Sequence, residues 1–249
     1  MFTFAQNFLM QNKYPQKPGI DFILKQAFFY WNKTLIFQLI FSIIYFGILM
    51  TVFFLCDFKY GITGQYMEAA KYLKQGAEVY LAEVSKMNAT DSFQSFSLWI
   101  TGTIIFLYPL NIGFYQVYRK IDLGEKPELA DLFVGYNGLN FFKYIGYFIF
   151  WYLIFVYTFQ TIILAAIWIC VTVLVAPVMF FKNKRIFEAI YLNFKALKMY
   201  FIEILVCVMV TIFFKYIGFA LFFVGALFTF PFWNAMIYSL YKTIFPEES

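Results

Sequence analysis

The 249-residue chain contains no histidine, and Asp, Glu, Lys and Arg together make up only 13% of it. Without imidazole, His-ligated zinc, His-ligated haem and His-based acid–base catalysis are all excluded. Cys56, Cys170 and Cys207 are far apart and lie in or beside apolar stretches. They read as small buried hydrophobes, neither a disulfide framework nor a metal set. Glycine-rich phosphate loops and nucleophile elbows are absent. No Lys/Arg run is long enough to follow a nucleic-acid backbone. No cofactor, no metal and no nucleic-acid partner is therefore expected, and the chain is not read as an enzyme.

What fills the sequence instead is oil: 63% hydrophobic residues and 25% aromatics, with 37 Phe and 20 Tyr. A soluble domain carries roughly 45–50% apolar and ~25% charged residues. Such an excess cannot be buried in one water-exposed core. The composition places the chain in a lipid bilayer. The first 33 residues hold Lys13, Lys17, Lys25 and Lys33 without a compact apolar core and cleavage site, so no signal peptide is expected.

A spanning helix needs ~20 apolar residues. Residues 34–56 and 93–118 each meet this, the second interrupted by Pro109 and Asn111. The uncharged stretch 144–181 would be roughly 57 Å long as one helix, so it must fold back. Its turn is placed at Thr158, Gln160 and Thr161. The stretch 200–241 must also be two helices, with the break expected at 215–218, where Lys215 and Gly218 fall. The expectation is an all-α, polytopic transmembrane bundle of six spans in one domain. Cytoplasmic loops collect Lys and Arg. Six spans put fourteen of the 19 basic residues on one side, so both termini are expected in the cytoplasm.

The second and sixth spans superpose at an offset of 123. Gly102 then meets Gly225, Asn111 meets Asn234, Tyr115 meets Tyr238, Tyr118 meets Tyr241 and Arg119 meets Lys242, while Pro109 and Pro231 miss by one residue. The preceding segments match at 162, through Gln26-Ala27 and Glu188-Ala189. The 39-residue difference is close to the length of segment 57–92, which the second copy lacks. This is read as a parallel repeat, with copy A at 20–121, a middle hairpin at 141–181 and copy B at 183–245. Chance likeness of apolar helices with Tyr and Lys at the interface is the alternative.

Outside the membrane, residues 66–86 read as an amphipathic external helix within 63–88. Its stripe runs through Tyr66, Leu73, Tyr80 and Val84. That stripe either lies on the bilayer or on the protein's own helix ends, or it docks another membrane or periplasmic protein. On the inner side, segments 20–31, 127–133 and 186–198 read as short helices at the membrane surface.

The run Gly124-Glu125-Lys126-Pro127 through Asp131-Leu132-Phe133-Val134-Gly135-Tyr136, preceded by Pro109 and Gly113-Phe114-Tyr115, resembles a bacterial family of uncharacterised integral membrane proteins. That family is related to the membrane domain preceding some glycerophosphodiesterases. The resemblance implies six helices in a bacterial plasma membrane and brings no catalytic residue.

Candidate polar positions at membrane depth are Asn111, Asn234, Glu203 and Gln160. Pro109, Pro231 and Pro177 would break helices, and Gly102 and Gly225 would pack closely. Tyr115, Tyr118, Arg119, Tyr238, Tyr241 and Lys242 would anchor the cytoplasmic interface. Facing asparagines either glue helices together or line a path beside the prolines. The function expected is a non-catalytic scaffold, accessory subunit or lipid-interacting assembly factor; the alternative is a small transporter or channel.

Overall fold

A computed structural model describes residues 19–220 and 224–246, all helices and connections with no strand among them. The element order recurs three times: a short amphipathic helix, an uninterrupted apolar helix, then a helix broken partway. In the first series α1 (Ile20–Lys33) leads into α2 (Leu35–Tyr60), and the broken helix is α5 (Asp91–Leu107) with α6 (Pro109–Asp122). Between α2 and α5 sit α3 (Ile62–Lys71), a 3-10 turn (Tyr72–Gln75) and α4 (Ala77–Asn88). The second series is a 3-10 helix (Leu129–Tyr136), α7 (Leu139–Thr158), then α8 (Ile162–Thr172) with α9 (Val175–Phe181). The third is α10 (Ile186–Met199), α11 (Phe201–Ala220), then α12 (Val224–Thr229) with α13 (Phe232–Ile244).

Five stretches among the described residues are long and apolar enough to cross a membrane: Leu35–Tyr60, Asp91–Asp122, Leu139–Thr158, Ile162–Phe181 and Phe201–Ala220. The chain turns between α7 and α8 at 159–161, beside the expected polar residues.

The second halves of the broken helices, α6, α9 and α13, touch one another in the centre. They are rich in fully buried side chains, among them Phe114, Tyr118, Val178, Ala235 and Leu240. Each also lies against an amphipathic helix of the next series: α6 on the 3-10 helix, α9 on α10, and α13 back on α1. The contacts thereby close a ring. The tightest crossing is α6 with the 3-10 helix. A Cβ on Gly113 would collide with the Leu132 backbone, and one on Gly135 with the Pro109 carbonyl. Only glycine allows two backbones that close.

The α1–α2 and α10–α11 joints share one conformation, with Thr34 at φ −114°, ψ 22° and Tyr200 at φ −126°, ψ 36°. Buried Ile23, Ala27 and Tyr30 match Ala189, Asn193 and Ala196. Both correspondences fall at a spacing of 166, one helical turn from the 162 read from the residues.

Two expectations need correction. The break at 215–218 is not there, because α11 continues to Ala220. Lys215 instead holds its ammonium 4.6 Å over the Phe230 ring. A Cβ on Gly218 would lie 2.9 Å from both the Ala226 nitrogen and the Gly225 carbonyl carbon, so these small residues serve a close crossing. The external helix is likewise not continuous. Gly76 adopts φ 125°, ψ 156°, a conformation open to glycine, and splits it into α3 and α4. The stripe is divided accordingly: Leu73 is exposed, Tyr80 and Val84 are half-buried, and Tyr66 packs edge-on against Phe93.

Candidate functional site

A broken helix in hydrocarbon frees backbone groups, and leaving one unsatisfied there costs several kcal/mol. Each of the three breaks is closed by a side chain from the amphipathic helix packed on it. Tyr136 Oη donates to the Phe106 carbonyl at 2.8 Å beside Pro109, and Trp31 Nε1 donates to the Phe228 carbonyl at 2.8 Å beside Pro231. At the α8–α9 break, Asn193 donates through Nδ2 to the Cys170 carbonyl at 3.1 Å and to the Val171 carbonyl. Its Oδ1 accepts from the Leu174 N–H at 2.9 Å. The amphipathic helices are therefore structural members of the bundle as well as surface elements.

Within the central helices the two asparagines meet. Asn234 Nδ2 donates to Asn111 Oδ1 at 3.1 Å, while Asn111 Nδ2 donates to the Tyr108 carbonyl at 3.1 Å. Towards the lysine-rich end, Gln38 Nε2 donates to Tyr118 Oη at 3.1 Å and to Thr34 Oγ1 at 2.9 Å. Gln38 and Ser42, one turn apart on α2, are both fully buried. Gln38 Oε1, Ser42 Oγ and Asn234 Oδ1 are buried oxygens without a hydrogen-bond partner.

At the end of this column Asp122 accepts from Tyr30 Oη and Tyr238 Oη, both at 2.6 Å, and pairs with Lys242 Nζ at 2.7 Å. Lys242 also donates to Tyr30 Oη at 3.2 Å. The rings of Tyr30, Tyr118 and Tyr238 lie 5.0–5.4 Å apart, a mutually packed triangle. Burial pushes the Tyr30 phenol well above its ordinary range, and the bond to Asp122 and that carboxylate's charge push it further. Tyr30 therefore remains a donor at neutral pH. Asp122 ends α6, where the helix dipole disfavours an acid. Its three donors offset that cost and tie α1, α6 and α13 together.

The other candidate residues separate. Gln160 is exposed in the α7–α8 turn, within the connection itself. Glu203 is half-buried in the first turn of α11, where a carboxylate suits a helix N-terminus, and it has no bond to either asparagine. Pro177 is buried three residues into α9. Gly102 faces open space, so it is not a close-packing position, while the Gly225 carbonyl carbon lies close against Gly218. Tyr115, Tyr118, Tyr238 and Tyr241 are at most 5% exposed and face the centre, not the interface. The reason is architectural: α6 and α13 are inner helices, already surrounded by the elements expected to lie beside them. Arg119 and Lys242 are the exposed members of that set. Asp122, Tyr30, Gln38, Trp31, Tyr136 and Asn193 were not anticipated as a set. The one available signal was an acid two residues after Tyr118-Arg119-Lys120 at a helix end.

The fold and its apolar helices define a multi-pass α-helical membrane protein. No protein-family model matches the chain, and neither a curated protein nor a solved structure is significantly similar to it.

Proposed function

We propose that this chain is a non-catalytic integral membrane protein, a scaffold or accessory subunit that works through its surfaces. In this reading it has six spans with α12–α13 as the last, a tandem repeat of the interfacial-helix unit, and both termini on the cytoplasmic side of a bacterial plasma membrane. The resemblance of segment 124–136 to uncharacterised bacterial membrane proteins fits that setting. The observation that carries the reading is the direct Asn234–Asn111 bond. The most polar pair at membrane depth is engaged with itself and serves as an interhelical clamp. Asn111→Leu and Asn234→Leu, compared with the double variant, test it. Loss of folded yield in detergent, with the double variant no worse than either single one, is expected. Retained yield together with loss of an ion or solute flux in proteoliposomes would overturn it.

One observation favours a second reading, a small transporter or channel. Gln38 Oε1, Ser42 Oγ and Asn234 Oδ1 offer acceptors to water or a permeating species in the same bundle. A flux abolished by Gln38→Leu or Ser42→Ala at unchanged yield would establish it. No flux in wild-type proteoliposomes would exclude it.

A further inference from the structure

The three amphipathic helices do not carry the same charge. Segment 19–34 holds Lys25 and Lys33 against Asp21, and segment 119–136 holds three cations against four acids. Segment 182–199 holds five cations, Lys182, Lys184, Arg185, Lys195 and Lys198, against Glu188 alone. In the first two segments the charges meet close partners: Lys25 pairs with Asp21 at 2.7 Å, Lys120 with Asp131 at 2.9 Å and Lys242 with Asp122 at 2.7 Å. In the third, the ion pair is the longest of the described set, Lys184 to Glu188 at 3.9 Å.

Beside these cations lies an open groove of about 440 Å³, lined by Lys184, Phe187, Glu188, Tyr191 and Leu192. Phe187 is 74% and Tyr191 68% exposed. The Phe187 ring is held edge-on by Phe150 of α7 at 5.8 Å. Glu188, Tyr191, Lys195 and Lys198 follow steps of three and four, so they share one face of α10, and Lys184 lies in the connection just before its first turn. Both ends of α10 adjoin membrane-crossing helices, α9 before it and α11 after it. Its exposed face therefore sits where headgroups meet acyl chains.

We propose that the α10 groove is a binding site for an anionic glycerophospholipid. The phosphate is held by Lys184 and its neighbour Arg185 at the start of α10, Lys195 adds positive charge about three turns further along the helix, and an acyl chain lies on Phe187 and Tyr191. The groove is apolar while its rim is cationic, and a lipid with a negative headgroup complements both. The proposal rests on the membrane residence in the reading above and on nothing else in it. A measured flux would sink the scaffold and leave this site standing; loss of lipid preference would do the reverse.

The test uses the full chain in detergent, mixed with phosphatidylglycerol or phosphatidylcholine, with bound lipid counted by native mass spectrometry. Wild type is expected to retain phosphatidylglycerol preferentially. Each cation near an anionic headgroup contributes about fivefold, so Lys184→Gln/Arg185→Gln/Lys195→Gln should lower that retention by more than tenfold. A control removing three charges elsewhere, Lys25→Gln/Lys71→Gln/Lys126→Gln, should leave it unchanged. Phe187→Ser/Tyr191→Ser should weaken dioleoyl but not dihexanoyl phosphatidylglycerol, and glycerol phosphate should not compete. Equal retention of both lipids by wild type, an equal loss in the control, or displacement by glycerol phosphate would overturn the proposal.

Discussion

The lysine-rich end of the bundle and the α3–α4 segment at the opposite end are held by different kinds of contact. At the former, Asp122 binds Tyr30 and Tyr238, residues 92 and 116 positions away, and Ser239 Oγ donates to the Ile23 carbonyl across 216. In α3–α4 the ion pairs are local, Lys71–Glu68 and Lys86–Glu83, each spanning three residues on an exposed helix face. Long-range polar bonds form only when the chain is assembled, so they report and enforce the tertiary fold. Local pairs survive its loss and add little to it.

If that contrast is right, the largest disruption comes from the glycine crossing at the centre. Gly113→Ala or Gly135→Ala drives a methyl group into backbone that no side-chain rotation can clear. The expected cost is at or above ~3 kcal/mol, read as near-complete loss of monodisperse protein on size exclusion. Asp122→Asn comes next. It removes the charge that holds two phenols and an ammonium. Losing one member of a buried charged cluster costs ~3–5 kcal/mol. The Asp122 side chain is 22% and Lys242 43% exposed, so about 2 kcal/mol is expected here. Thermal unfolding in detergent measures it.

Asn111→Leu should cost ~0.6–2 kcal/mol, the range of an interhelical bond in a membrane. Alkaline pH sharpens the comparison further. The Tyr30 phenol is raised in the folded state, so its contribution is full below the ordinary tyrosine value of 10.0 and is lost as pH rises past it. Tyr30→Phe should therefore unfold with a shallower pH dependence between pH 9 and 11, and an unchanged slope would remove Tyr30 from the cluster. The smallest effect is expected at α3: Glu68→Gln/Lys71→Gln should leave the unfolding temperature unchanged. A marked drop would show that the outer segment is as integral as the centre.

Membrane residence, the long apolar helices and the hairpin turn near Gln160 were legible because hydropathy and length are local properties. The 123-residue offset paired Asn111 with Asn234 in the sequence, and the two amides bond directly. The tyrosines misled for a physical reason. Tyr and Lys after an apolar run signal an interface, but the same residues serve an inner helix whose end is capped by neighbours. Gly102 and Gly113 look alike as letters, and only the approach of Leu132 distinguishes them. The closure of the helix breaks by Trp31, Tyr136 and Asn193 was invisible, because each donor reaches a carbonyl with no sequence mark.

The sequence by itself determined the solvent in which this protein lives and the segments that cross it, because transfer of apolar side chains is additive along the chain. Tertiary structure alone decided which half-helices are central, which glycines touch backbone and which polar groups pair. Those outcomes depend on directions in space, and hydrogen bonds and close packing are directional where hydrophobicity is not.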